Sequence, residues 1–296
     1  MTWPRFKDLL STYLFVAPAI VLFALFSLIP FVKVFQLSVF EWDGISAHMT
    51  FVGLHNFATA LFHDIPWRVS LVNAGIITIL ALTFQNILAL ILAIIVDREI
   101  KGKNFYRVVF YLPPVLSGIV VGLVWNWIFD GSHGLLNHFL EVMGHPEWAR
   151  AWLADPQTAL YGVAVIHMWK GFGWGFVILL AGLQAIPREL GEAARVDGAS
   201  EWYIFSRITA PLMLPVFFLV SILTILGTMQ IYDIIISTTN GGPGYHTEVP
   251  ITRILAAMLG SSRFGYACAL GIIFGVILLA VSMVQMRLSK WSAKYT

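Results

Sequence analysis

VSLVNAGIITILALTFQNILALILAIIV, residues 69–96, lies between Arg68 and Asp97 and contains no Asp, Glu, Lys or Arg. An α-helix needs about 20 apolar residues to cross the hydrocarbon core of a bilayer, so this stretch has the length and composition of a membrane span. Five more stretches of the same kind stand at about 11–38, 106–129, 158–184, 211–237 and 265–287. Of the 296 residues, 58% are hydrophobic and only 11% charged. Soluble domains carry about 25% charged residues, so water is the wrong solvent for most of this surface. These runs predict an all-α integral membrane protein with six transmembrane helices in a single domain, 1–296. The first run follows Arg5 and Lys7 as a secretory signal would. It extends from Tyr13 to about Phe40 with no small-x-small exit, so it is read as a retained span.

Six spans put both termini on one side, and the positive-inside bias decides which side. With the amino terminus in the cytoplasm, the cytoplasmic segments hold Arg5, Lys7, Arg98, Lys101, Lys103, Arg107, Arg188, Arg195, Arg207, Arg287, Lys290 and Lys294. The external segments hold Lys33, Arg68, Arg150, Arg253 and Arg263, and Lys170 falls inside a span. Both termini are therefore expected in the cytoplasm with the 97–106 and 185–210 loops, while 39–68, 130–157 and 238–264 face out.

Several function classes drop away. The net charge of +2, with basic residues clustered between apolar blocks, gives no surface for nucleic acid. One cysteine, Cys268, rules out an internal disulfide or a multi-thiolate metal site, and the eight histidines form no His-x3-His or His-Glu-x-x-His pair. No metal site is expected. An intramembrane enzyme would need converging acids, histidines or a nucleophile, and the intramembrane polar residues are few. An ion-coupled secondary transporter is the main alternative. The chain halves show none of the internal correspondence that many such transporters carry.

The cytoplasmic loop between spans four and five reads Ile186-Pro187-Arg188-Glu189-Leu190-Gly191-Glu192-Ala193-Ala194-Arg195-Val196-Asp197-Gly198-Ala199. Pro187 suits a helix start, Glu189 complements the dipole of the first turn, and Gly198 is a natural stop. Ser200 can cap a second short helix through Arg207, before Pro211 opens span five. On the first helix Leu190, Ala193, Ala194 and Asp197 share one face, thin enough for another backbone to approach. Arg188, Glu192 and Arg195 line an adjoining polar face.

The string Glu192-Ala193-Ala194, three residues, Gly198, then Ile208 and Pro211 in register, resembles the signature of permease subunits of binding-protein-dependent ABC importers. Ala210 stands where leucine is usual, a change of apolar size rather than of chemistry. Further elements are similar to the maltose-type carbohydrate uptake branch: Phe51-Val-Gly-Leu-His-Asn56-Phe57, Leu183-Gln184-Ala185-Ile186-Pro187, Tyr232-Asp233, and Asn240-Gly241-Gly242-Pro243. The last of these is also what any tight turn requires. The resemblance runs from about residue 11 to 288. It implies a short cytoplasmic coupling helix whose Glu192, Ala193, Ala194, Asp197 and Gly198 dock in a groove of an ATPase subunit, with Glu192 paired to a basic residue there. It implies as partners a second homologous permease, a dimer of cytoplasmic ATPases and an extracytoplasmic solute-binding protein, in a bacterial-type cytoplasmic (inner) membrane. No Gly-x4-Gly-Lys-[Ser/Thr] occurs, so this chain binds no cofactor of its own and ATP with Mg belongs to the ATPase partners.

Polar residues at membrane depth point to a path. A lysine at a span centre costs roughly 2.5–3.5 kcal/mol on insertion scales, so Lys170 is expected to face a cavity or a partner. His167, Lys170, Gly171 and Trp174 fall on one helical face. That face offers donors for hydroxyls and an aromatic plate for the C–H face of a sugar, and the matching positions of maltose-type permeases line the path. Ser117, beyond the Pro113-Pro114 break, and Thr228, Gln230 and Asp233 of span five are further candidates. Ser117 and Thr228 can equally bond their own helix backbone, Trp174 can be packing, and Asp233 can pair with Lys170 or Arg253 or meet water. Lys170 also suits an anionic solute, such as a uronate oligosaccharide or a phosphorylated polyol.

Overall fold

The computed structural model describes residues 3–98 and 100–292, with side chains for residues 13–98 and 100–287. Arg5, Lys7 and Lys290, counted above for orientation, lie where side chains are not described, and Lys294 lies outside the described residues.

In chain order the elements are α1 (3–38), β1 (Phe40–Glu41), β2 (Thr50–Phe51), α2 (55–63), α3 (Ile65–Asp97), α4 (Lys103–Val115), α5 (Gly118–Ile128) and α6 (Leu135–Val142). There follow α7 (Ala159–Gln184), α8 (Arg188–Val196), α9 (Glu201–Met229), α10 (Asp233–Thr238), α11 (Pro250–Gly260) and α12 (Phe264–Ser292). Tyr13–Ser38 of α1, then α3, α7, α9 and Phe264–Arg287 of α12 are each long and apolar enough to cross a membrane. α4 and α5 make a sixth crossing only as a pair bent by 97°.

Two spans depart from the sequence expectation. The run at 106–129 is not one helix. Pro113 and Pro114 remove two N–H donors from the last turn of α4, and Leu116 and Ser117 then run extended, with ψ of 141° and 135°. The run at 211–237 is displaced at both ends. Ser200 Oγ accepts from Tyr203 N–H at 3.3 Å, as a cap should, but the helix it starts does not stop near Arg207. It continues through a π-turn at Phe205–Thr209 into α9. Proline ordinarily clashes with the carbonyl four residues back. For Pro211 that is Arg207, inside the widened turn. α9 then ends at Met229, and α10 begins at Asp233, whose Oδ1 accepts its own helix's Ile234 N–H at 2.9 Å. No proline marks this second break, so tertiary contact has overridden local propensity.

The chain divides into two contact units, Met1–Asp64 with Ile254–Val276, and Ile65–Arg253 with Ile277–Thr296. Within the first, β1 pairs antiparallel with β2, Phe40 opposite Phe51. Asn56 sits below this pair and donates through Nδ2 to the carbonyls of Ser38 (2.9 Å) and Phe40 (3.0 Å). The Phe-x-Gly-Leu-x-Asn-Phe element thus closes the end of α1. Asn56→Leu leaves a buried carbonyl and a half-buried one without this donor, the buried one costing about 1–3 kcal/mol. A lower unfolding midpoint in detergent, with unaltered behaviour of an exposed control such as Ser132→Ala, is the expected result. Tyr266 on α12 donates to Asp64 Oδ2 at 2.6 Å in the same unit.

The second unit is centred on α7. Phe176, Leu179 and Leu183 pack on Ala89, Ala93 and Val96 of α3 and on Met213 and Val220 of α9. Small residues set these distances, as they do between membrane helices generally. A Cβ added to Gly175 would lie 3.3 Å from Ala89 Cβ and 3.2 Å from Val220 Cγ1. A second cluster joins Ile77 of α3, Val121 of α5, Val163 and Ile166 of α7, and Ile234 and Ile235 of α10. Asn73 of α3 donates to the carbonyls of Tyr245 (3.2 Å) and Glu248 (2.9 Å), which anchors the loop after the Asn240-Gly241-Gly242-Pro243 turn. That turn is tight, with φ of 49° at Asn240 and 84° at Gly241.

Candidate functional site

Within the second unit a cavity of about 620 Å³ opens beside α7, between it and the broken end of span five. His167, Lys170, Gly171 and Trp174 line it from α7, and Thr228, Gln230 and Asp233 line it from α9, the break and α10. Seven of the eight path candidates therefore meet in one space. Ser117 does not line it. Its backbone closes the gap between α4 and α5, and it makes no side-chain cap there.

Each side chain has a defined setting. His167 Nε2 and Thr228 Oγ1 are 3.0 Å apart, so Thr228 bonds across to α7 rather than to its own backbone. Trp174 meets Tyr111 of α4 edge-on, centroids 5.4 Å apart, and its exposed remainder faces the cavity. Gln230 Nε2 donates to Leu226 carbonyl at 3.2 Å. Gly171 has a packing role as well. A Cβ there would fall 2.6 Å from Gln85 Oε1, so the glycine admits the Gln85 side chain of α3. Among the described residues Asp233 forms no ion pair with Lys170 or Arg253. Its carboxylate lies instead against Gly118, at the start of α5, where a positive helix end favours it. α5 and α10 meet along glycines: a Cβ on Gly118 would overlap Asp233, and one on Gly122 would overlap the Ser237 hydroxyl. One turn on, Asn126 Nδ2 donates to Ser237 carbonyl at 2.7 Å.

Sequence reasoning missed Gln85, Thr224 and Tyr232, which also line the cavity. Gln85 ends a π-turn at Ala81–Gln85, and its neighbour Asn86 accepts from Thr224 Oγ1 at 2.9 Å. Gln85 Oε1 and Asn86 Nδ2 are buried without partners. The available signal was two adjacent amides in the middle of an uncharged, mostly apolar run, a costly placement that needs a reason.

The loop helix forms as its residues dictate. α8 spans Arg188–Val196, with Pro187 just before it, Glu189 in its first turn and Gly198 in the left-handed region at φ 83°. No residue of α8 is buried. Leu190, Ala193 and Asp197 are exposed, while Ala194 turns partly toward its own chain. Arg195 stays exposed on α8 and reaches across to the next helix. Its Nε donates to Glu201 Oε1 at 2.7 Å and its Nη2 to Oε2 at 3.3 Å, tying α8 to the first turn of α9. The carboxylate beside it raises the guanidinium pKa further. Glu192 has no hydrogen-bond or ion-pair partner among the described residues.

Residues 85–294 match the family described as binding-protein-dependent transport system inner membrane component. The chain is 35% identical over 280 residues to the probable ABC transporter permease protein YurN of Bacillus subtilis (strain 168), covering 94% of this chain and 95% of that protein. It is 29% identical over 285 residues to the probable starch degradation products transport system permease protein AmyD of Thermoanaerobacterium thermosulfurigenes, covering 96% of each. The fold is shared with a chain in the crystal structure of a bacterial alginate ABC transporter in complex with alginate pentasaccharide-bound periplasmic protein. The TM-score is 0.82 at 23% identity, over 97% of this chain and 96% of that one.

Proposed function

Because the chain belongs to the family of binding-protein-dependent transport system inner membrane components, we propose that the cavity beside α7 is its half of the path for a carbohydrate-type solute. It is a multi-pass protein of the cytoplasmic membrane and a transport component rather than an enzyme. Membership of an ABC permease family sets aside the ion-coupled secondary transporter. The observation that supports the sugar reading is the lining itself: an imidazole, an ammonium, two amides, hydroxyls, a carboxylate and an indole within one cavity of about 620 Å³. Such a mixture satisfies hydroxyls from several directions and offers a flat apolar plate to a ring. AmyD, by its name, handles starch degradation products, a solute class of this chemistry. Asp233 shares the lining with Lys170, so the cavity offers both signs of charge and gives an anionic solute no geometric advantage.

In this reading both termini and α8 are cytoplasmic. α8 docks on one of a pair of ATPase subunits, which carry the ATP and Mg, and a second homologous permease completes the path. A loaded extracytoplasmic binding protein docks on the outer loops. ATP binding draws the docking helices together, and α9, continuous with the Ser200 cap and tied to α8 through Arg195 and Glu201, carries that movement to the break at Gln230–Tyr232. The path opens outward, solute enters, and hydrolysis resets it inward.

Uptake into proteoliposomes holding the full importer tests the cavity. Trp174→Ala is expected to lower solute uptake roughly tenfold, about 1.4 kcal/mol, while ATP hydrolysis stimulated by the binding protein persists. Lys170→Met separates neutral from acidic solutes. Wild-type uptake in both variants would remove the cavity from the path.

A further inference from the structure

We propose that a groove between α4 and α7, at the end of the molecule that leads into α8, holds the acyl chain and phosphodiester head of an anionic glycerophospholipid. The groove has a volume of about 480 Å³ and belongs to the same contact unit as the path cavity without sharing residues with it. Its walls are apolar: Val108, Leu112 and Val115 from α4, Val177 and Leu180 from α7. Its polar groups are Arg107, Gln184 and Tyr111. Arg107 lies in the second turn of α4, and Gln184 is the last residue of α7, three residues before Pro187. Both polar ends therefore sit on the side where the chain enters the docking helix.

Arg107 is the observation that calls for an anion. Its Nε is shielded from solvent and has no hydrogen-bond partner, and among the described residues the guanidinium has no ion-pair partner either. A guanidinium prefers two parallel bonds to phosphate or carboxylate oxygens. Among the described residues no carboxylate supplies them. Long basic side chains near span ends reach for the headgroup level while their stems cover apolar surface. From Arg107 to Val115 the groove follows eight residues of helix, about 12 Å at 1.5 Å per residue. One leaflet of the hydrocarbon core is about 15 Å deep, so an acyl chain fits along the apolar stretch when its phosphate is at Arg107. The orphaned charge at one end favours a lipid over an apolar helix of a second permease, which would leave the guanidinium buried and unpaired.

The assembled importer, delipidated in detergent, is given phosphatidylglycerol, phosphatidylcholine or inorganic phosphate in turn, and retained lipid is counted by native mass spectrometry. The expected result is one added phosphatidylglycerol per copy of this chain, retained at least fivefold over phosphatidylcholine. Arg107→Gln should bring that ratio near one, Arg107→Lys should keep most of it, and Val177→Trp should reduce both lipids by filling the groove. Equal retention of the two lipids, or wild-type retention in Arg107→Gln, overturns the proposal. Full protection by inorganic phosphate against phosphatidylglycerol binding would mean a simple anion site. Cross-linking of Val108→Cys to the partner permease would mean that the groove is a protein interface. The inference is independent of the solute path, since none of these readouts involves transport.

Discussion

Glu192→Lys is expected to reduce ATP-coupled uptake at least about thirtyfold while the protein stays in the membrane at normal abundance. The structure supplies the reason for separating the two effects. α8 buries nothing, and among the described residues Glu192 makes no hydrogen bond or ion pair, only a minor attraction to the exposed Arg195, so replacing it removes no packed contact from this fold. Surface substitutions of that kind usually fall within 0.5 kcal/mol of neutral. Any large loss must come from a group supplied by another subunit. Reversing one member of a buried, hydrogen-bonded charge pair at an interface costs about 2–5 kcal/mol, and 2 kcal/mol is about thirtyfold. Gly198→Asp should act in the same direction, since φ at 198 is 83° and a side chain there is strained by about 1–2 kcal/mol. Uptake by Glu192→Lys at the wild-type rate, in membranes where its abundance is confirmed, would sink the docking reading.

Gly118→Leu combined with Gly122→Leu is expected to abolish recovery of folded protein. The two glycines lie one turn apart on α5 and face Asp233 and Ser237 of α10 at a distance that leaves no room for a Cβ. α5 and α10 are 11 and 6 residues long, and each is cut off from its span by a non-helical break, extended at Leu116–Ser117 before α5 and irregular at 230–232 before α10. Neither has flanking helix to hold it once the contact opens. Overpacking costs typically 1–3 kcal/mol per site, and here it would also expose the Asn126 bond to Ser237. Gly275→Leu is the control, since a Cβ there meets nothing within 4 Å. Size-exclusion profiles and unfolding midpoints of detergent extracts should separate the two variants clearly. Equal profiles would show that the close approach at Gly118 and Gly122 carries no stability.

The parts of this protein legible in its sequence are those governed by local rules. Apolar length placed the spans, and at Ala159–Gln184 the expectation and the helix differ by one residue. Glu189, Gly198 and Ser200 each do what capping chemistry predicts at the places where it predicts it, and Pro187 stands one residue ahead of the first turn expected for it. Helical spacing brought His167, Lys170, Gly171 and Trp174 to one face because α7 is unbroken. Reading failed where helices are interrupted by tertiary contact. Nothing near Met229 announces a stop, and the carboxylate of Asp233, resting on a glycine far away in sequence, is what makes the restart possible. In the sequence Pro113-Pro114 marks the break, and that places Ser117 with the path. The extended residues come later, and they turn α5 through 97°. Spacing puts Arg195 on the polar face of α8, where it is exposed, but spacing cannot see its partner Glu201 across the Gly198 turn.

The π-turn at Ala81–Gln85 gives α3 a supernumerary residue. Ala81, Gln85 and Asn86 are all buried, whereas Thr83 and Phe84 between them are exposed, so the interior side recurs at steps of four and five. Without Thr83 those steps become three and four, the ordinary rhythm of an α-helix. This span can therefore shed one residue on its outer flank and still aim both amides inward, a tolerance that its strictly periodic neighbour α7 lacks.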